Sequence, residues 1–180
     1  MCEEVTLEIF EDRFMPRMQR FMSKSLAKKL SSTFIWTEIM SVIKGGINRN
    51  THQRFASRKE YQEKGSVWLS KKEKNTLYYV FLQYEEWKMK ARLFDFLDVV
   101  NHVAGQMELN KQNGYYNYQG FNNHKFAEFL IIDEVQDLYP KTIKLLLSVS
   151  KYKVVFAGDT AQTIAKGVSS RISDVRDILA

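Results

Sequence analysis

Asp133 and Glu134 come directly after the apolar run Phe129-Leu-Ile-Ile132, and Gln136 and Asp137 follow within three residues. A second apolar run, Val154-Val-Phe-Ala157, opens into Gly158-Asp159-Thr-Ala-Gln162. Each run has the length and the abrupt polar ending of a buried parallel strand that delivers functional groups to the edge of a sheet. Nucleoside triphosphate hydrolysis requires a Mg²⁺ ion across the phosphates and a group that orients or deprotonates the attacking water. A carboxylate at the C-terminal end of a parallel strand can hold the metal shell, and its neighbour points elsewhere and can reach the water. Asp133 is thus the candidate metal ligand and Glu134 the candidate base. Gln136 and Asp137 sit where they can bond to neighbouring loops, and the Gln162 amide can donate to a phosphate oxygen. Taken alone, an acidic pair after a strand is more simply a helix N-cap cluster. The second strand ending in glycine, acid and amide makes the combination more specific than either half.

These strands need a connection. Pro140 suits the first turn of a helix, with Ile143, Leu146, Leu147 and Val149 on its inner face. Strand, helix and strand at this spacing predict a right-handed βαβ unit with a parallel pair, the strands covering 126–132 and 153–157. The preceding 110 or so residues read as helical. Ser31-Ser-Thr33 caps a stripe of Phe34, Ile35, Ile39, Val42 and Ile43 that stops at Gly45-Gly46. Residues 47–66 are polar and basic and read as a loop with a short helix. Leu77, Val80, Phe81, Tyr84, Trp87, Ala91 and Phe94 recur at three- and four-residue spacing and form one helix face. A further helix begins near Asp95 or Asp98, and residues 105–124, rich in Asn, Gln, Gly and Tyr, read as a loop.

Composition limits the classes available. The chain has 180 residues, a 44% hydrophobic fraction and a formal charge of +6. Residues 1–75 hold 15 Lys/Arg against 9 Asp/Glu, which is the whole excess, while the remainder is balanced. A basic front half suits a polyanion, although a solvated basic surface has the same composition. The lone Cys2 excludes an internal disulfide, and His52, His102 and His124 lack metal-ligand spacing. No apolar run reaches the roughly 18 residues of a membrane span, so the expectation is an intracellular protein, nuclear or cytoplasmic, with no membrane partner. Trp68, Tyr78, Tyr79, Tyr84, Trp87, Tyr115, Tyr116 and Tyr118 interleave with basic residues. They could stack unpaired bases, but helix-face spacing favours core packing for Tyr84 and Trp87.

Asp133-Glu-Val-Gln-Asp137 resembles motif II, D-E-x-Q-D, of the UvrD/Rep-like superfamily one helicases. Gly158-Asp-Thr-Ala-Gln-Thr-Ile164 resembles their motif III, G-D-x-x-Q-S/T-I. The wording Phe156 to Val168 is similar to the branch found in large eukaryotic proteins that join such a helicase domain to TPR or ankyrin repeats. The likeness is most specific over 125–168, weaker over 76–104 and faint before that. It implies an α/β fold: a partial P-loop NTPase (RecA-like) parallel-sheet lobe, preceded by a mainly helical subdomain. Residues 1–110 would be the basic inserted subdomain and 111–180 the partial motor lobe with Walker B (motif II) and motif III. The implied activity is ATP- and Mg²⁺-dependent movement along single-stranded DNA or RNA. In that frame Asp133 holds Mg²⁺, and Glu134 and Gln162 are catalytic. Gln136, Asp137, Gly158 and Asp159 line the nucleotide site, while Thr163, Arg171 and Tyr116 are candidate nucleic-acid contacts.

Two departures stand out. The phosphate loop G-x-x-x-x-G-K-S/T occurs nowhere in the sequence. The chain is therefore expected to be a fragment, inactive alone, that works with a phosphate-loop segment and a second motor lobe in cis. The alternative is a non-catalytic nucleic-acid-binding or protein-interaction module that keeps the shape of the lobe. The second departure follows motif III, where Ala165 and Ser170-Arg171 replace the aromatic and the Phe-Arg-Gly of bacterial relatives.

Overall fold

The computed structural model describes residues 2–22, 24–46, 54–112 and 127–158. Strand β1 (Glu3–Glu4) leads into α1 (Leu7–Ile9), which continues through a π-helical stretch, Phe10–Phe14, into α2 (Met15–Met18). Thr6 caps this helical run through its Oγ1, which accepts from the Ile9 amide. Helix α3 (Lys24–Lys29) follows, then α4 (Ser32–Thr37), whose N-cap Ser31 accepts from the Phe34 amide as the sequence predicts. The helix runs on as a π-helical stretch, Glu38–Lys44, a widening that the apolar spacing does not reveal.

Helix α5 (Arg58–Lys64) and the 21-residue α6 (Lys71–Ala91) each open with a complete capping box, Ser57 with Glu60 and Ser70 with Glu73. Leu77, Val80, Phe81 and Tyr84 are buried on the predicted face of α6, and Trp87 is half-buried. The face ends there, because Ala91 is exposed. Arg92 then turns the chain at φ 54° into β2 (Leu93–Phe94), which pairs in parallel with β1. This small sheet ties the chain start to the end of α6 and is absent from the sequence reading.

Helix α7 spans Phe96–Gln112. Residues 105–112, read as the start of a loop, are therefore helical. Ala104, Gln106, Met107 and Leu109 are good helix formers, and Gly105 costs only about 1 kcal/mol relative to alanine. One core joins these helices. Phe10, Phe14, Trp36 and Tyr84 meet with ring centroids 5.1–6.1 Å apart, mostly tilted or edge-on. Full burial of such a side chain stabilises by roughly 1.5–3 kcal/mol.

The predicted βαβ unit closes the described chain. Strand β3 (Ala127–Ile132), α8 (Pro140–Val149) and β4 (Ser150–Phe156) follow in order, and the strands pair in parallel with Ile131 opposite Val155 and Ile132 opposite Phe156. Ile132, Val135 and Ile143 form a small core beneath α8. The strands are not buried on both faces as their apolar run suggests. Phe129 is 65% exposed and Ile131 74%. A single helix covers one face of two strands, so alternate side chains point away from it into the open.

Candidate nucleotide site at the strand tips

Asp133 and Glu134 lie immediately beyond β3, and Ala157 and Gly158 immediately beyond β4. The strand exits are bonded to each other. The Ala157 amide donates to the Ile132 carbonyl at 2.8 Å, and the Val135 amide donates to the Ala157 carbonyl at 3.1 Å. The second bond requires a sharp reversal, which Glu134 supplies by adopting φ 50°, ψ 42°. That left-handed conformation costs a non-glycine residue roughly 1–2 kcal/mol, and such strain gathers at functional positions. The Glu134 amide donates to Asp133 Oδ1 at 2.9 Å, which fixes the first carboxylate against the turn.

Gln136 links the two exits. Its Nε2 donates to Glu134 Oε2 at 2.5 Å, while its Oε1 is buried without a hydrogen-bond partner. A Cβ added at Gly158 would overlap that Oε1 and stand 3.0 Å from Val135 Cγ1. A side chain here would require the end of Gln136 to move from beneath the β4 exit. Asp133 and Glu134 are exposed and Asp137 is partly exposed. These carboxylates offer hard oxygen ligands of the kind Mg²⁺ takes one or two at a time while keeping several waters.

Asp133, Glu134, Gln136, Asp137 and Gly158 are therefore brought together, as the spacing predicts. Asp159, Gln162, Thr163, Arg171 and Tyr116 lie outside the described residues, as do Tyr115, Tyr118, His52 and His124. Tyr84 and Trp87 are core residues, and His102 is on the surface of α7.

A second polar constellation escaped the sequence reading. Lys44 and Lys88, almost wholly buried, meet Glu85, Asp95 and Asp98. Lys44 Nζ lies 2.9 Å from Glu85, 2.6 Å from Asp95 and 2.7 Å from Asp98. Tyr84 donates its hydroxyl to Asp95 at 3.0 Å. Burial lowers the Lys44 pKa, but the three carboxylates outweigh it and hold the ammonium firmly protonated. Burial pushes Asp98 up, but Lys44 and Lys88 override it and bring the carboxyl down to about 2. Among the described residues these acids are the only three whose oxygens converge closely enough for a metal, and the two ammonium groups already fill the space. Asp95 and Asp98 also cap α7 reciprocally, each amide donating to the other's carboxylate. Their capping role was legible, but nothing local pointed to Lys44, which lies 51 residues before Asp95.

Lys141, the second residue of α8, ties that helix to the backbone of residues 44–54. Its Nζ donates to the carbonyls of Lys44 at 3.3 Å and Arg54 at 2.7 Å, and its amide donates to the Gly45 carbonyl at 2.9 Å. Desolvation first, then Lys44, Arg54 and Lys144, bring its pKa down to about 8. A shallow depression of about 510 Å³ lies elsewhere, between Glu3, Arg13, Arg17 and Trp87, and includes none of the strand-tip residues. No helix among the described residues is long and apolar enough to cross a membrane.

TPR and ankyrin repeat-containing protein 1 of Homo sapiens is 26% identical over 180 residues, covering 97% of this chain but only 6% of that protein. No solved structure matches. The sequence profile of the UvrD/REP helicase N-terminal domain matches residues 4–166, a span that takes in the helical core and both strand tips, and the chain belongs to that family.

Proposed function

We propose that this chain is part of an ATP-driven nucleic-acid motor in which Asp133 holds the Mg²⁺ shell and Glu134 activates water. The observation that carries this reading is the pairing of the two strand exits, with the Gln136 side chain passing from Glu134 to Gly158. Magnesium, when bound, would neutralise charge on the phosphates. The chain's own groups orient it: Asp133 supplies an exposed oxygen fixed by the Glu134 amide, and Glu134 is aimed by Gln136. Gln162, a few residues beyond Gly158, would sense the γ-phosphate, with Asp159 beside it. Thr163, Arg171 and Tyr116 would touch the single strand. The lobe is RecA-like in this reading, with 1–110 the inserted subdomain and 111–180 the partial motor lobe.

No phosphate loop is present in the sequence, so hydrolysis requires one supplied from elsewhere in a larger polypeptide. That same feature favours the second reading, a non-catalytic nucleic-acid-binding or interaction module. The test is ATP turnover with single-stranded DNA or RNA in a polypeptide carrying both this chain and a phosphate loop. Glu134→Gln is expected to reduce kcat by at least 100-fold with nucleotide affinity kept within about twofold. Turnover unchanged by Glu134→Gln removes Glu134 as the base and leaves the module reading.

A further inference from the structure

Trp68 is 53% exposed and Val67 97%, at the tip between α5 and α6. Single exposed apolar residues need no explanation, but Trp68 is built into a stack. Its ring centroid lies 4.6 Å from that of Phe34, which packs on the main core. Lys29 Nζ stands 5.7 Å over the same ring. Two acids flank this tip in sequence, Glu73 and the exposed Glu63, and Glu73 is engaged: it caps α6 at Ser70 and pairs with Lys29 at 2.6 Å. Lys29 and the Ser70 bonds hold its carboxyl down at about 2, so it stays ionised and matched.

Positive charge predominates around the tip. Residues 24–29 and 64–72 carry six lysines and no acid in the sequence, and the Lys29 contacts bring the two stretches together. Lys28, Lys64, Lys71 and Lys72 are exposed. The tip is thus a rigid aromatic ring, supported from behind and rimmed by cations, with little apolar area beyond Val67. A protein partner would require a broader apolar patch, since specific interfaces bury about 800 Å² per side. A duplex hides its base faces. An unpaired base offers a π-face to the ring and a phosphate to the lysines.

We infer that Trp68, supported by Phe34 and rimmed by Lys28, Lys29, Lys71 and Lys72, is a base-stacking site for single-stranded nucleic acid on the helical part of the chain. It shares no residue with the strand tips. The inference deepens the motor reading in naming a second foothold for the same strand, yet its binding step needs neither nucleotide nor Mg²⁺.

The experiment titrates the 180-residue chain with a 20-nucleotide oligo-dT and oligo-U, without nucleotide or Mg²⁺, following tryptophan fluorescence and anisotropy. Quenching and a binding curve are expected, with affinity falling linearly in log salt at a slope of about −2 for three neutralised phosphates. Trp68→Ala is expected to weaken binding about tenfold and to abolish most of the quenching, while Trp68→Phe keeps most of the affinity. Lys71→Glu with Lys72→Glu should weaken binding and flatten the salt slope, whereas Lys90→Ala, at the far end of α6, should leave both unchanged. Absence of binding, equal binding to a blunt duplex, or full affinity in Trp68→Ala would overturn the site. Asp133→Ala should leave this binding intact, so a failed motor reading and a failed stacking site give different results. The DNA and RNA arms show which sugar the site accepts.

Discussion

Gln136 passes beneath Gly158, so its amide oxygen occupies the space a Cβ at residue 158 would need. The buried amide oxygen and the missing methyl group are one packing feature, shared between residues 22 positions apart. Gly158→Ala is expected to cost about 1–3 kcal/mol in urea unfolding, because the added methyl must displace Gln136 or Val135. In the Gln136→Ala background the same substitution should cost much less. A coupling energy below about 0.5 kcal/mol in that double-mutant cycle would show that the two residues are independent.

Asp95 carries more of the helical core than its exposed counterparts. It accepts from Lys44, Lys88 and Tyr84 with no solvent exposure. Asp95→Asn leaves two buried ammonium groups short of a partner and is expected to destabilise by about 3–5 kcal/mol. The exposed Arg13–Glu3 pair, at 2.8 Å, is the control: Arg13→Ala should not move the denaturation midpoint measurably.

The pH dependence has two separable parts. Asp98 is held at about 2 in the fold against a reference of 3.8, so it binds fewer protons folded than unfolded between those values. Its contribution is complete above about pH 4 and is lost as pH falls toward 2, and Asp98→Asn should flatten that limb of the stability curve. Lys141 has the opposite chemistry. With a folded pKa of about 8 against 10.5, it sheds its proton in the fold first, so stability from this group rises between pH 8 and 10.5. Subtracting the Lys141→Met curve from the parent curve should isolate that rise, and identical slopes above pH 8 in the two proteins would refute it.

Arg92 ends α6 at φ 54° and is exposed, with its amide bonded back to Lys88 and Met89. Glycine takes this left-handed cap without a Cβ clash. Arg92→Gly is expected to raise stability by about 0.5–1 kcal/mol, net of the entropy glycine adds to the unfolded chain. A thermal midpoint that falls instead would mean the guanidinium contributes more than the strain costs.

Local chemistry explains what could be read in advance. Ser31, Ser57 and Ser70 precede their helices because a hydroxyl satisfies a free amide within three residues. The face of α6 and the βαβ order follow from periodicity, and Asp133 with Glu134 at a strand end follows from an apolar run meeting acids. The π-helical stretches, the β1–β2 pair and the continuation of α7 to Gln112 were not legible. The first two depend on packing between distant segments, which leaves no regular spacing, while the end of α7 was obscured by the Gly, Asn and Gln among its helix formers.

The sequence by itself determined the order of the long helices and the two strands, and that two acids and a glycine would share one edge. Those are consequences of bonds and periodicities spanning a few residues. The tertiary structure alone decided that Lys44 neutralises Asp95, that Gln136 fills the space beside Gly158, and that one face of β3 stays open. Coulomb attraction and close packing act between whichever groups the fold brings within a few ångströms, irrespective of their separation along the chain.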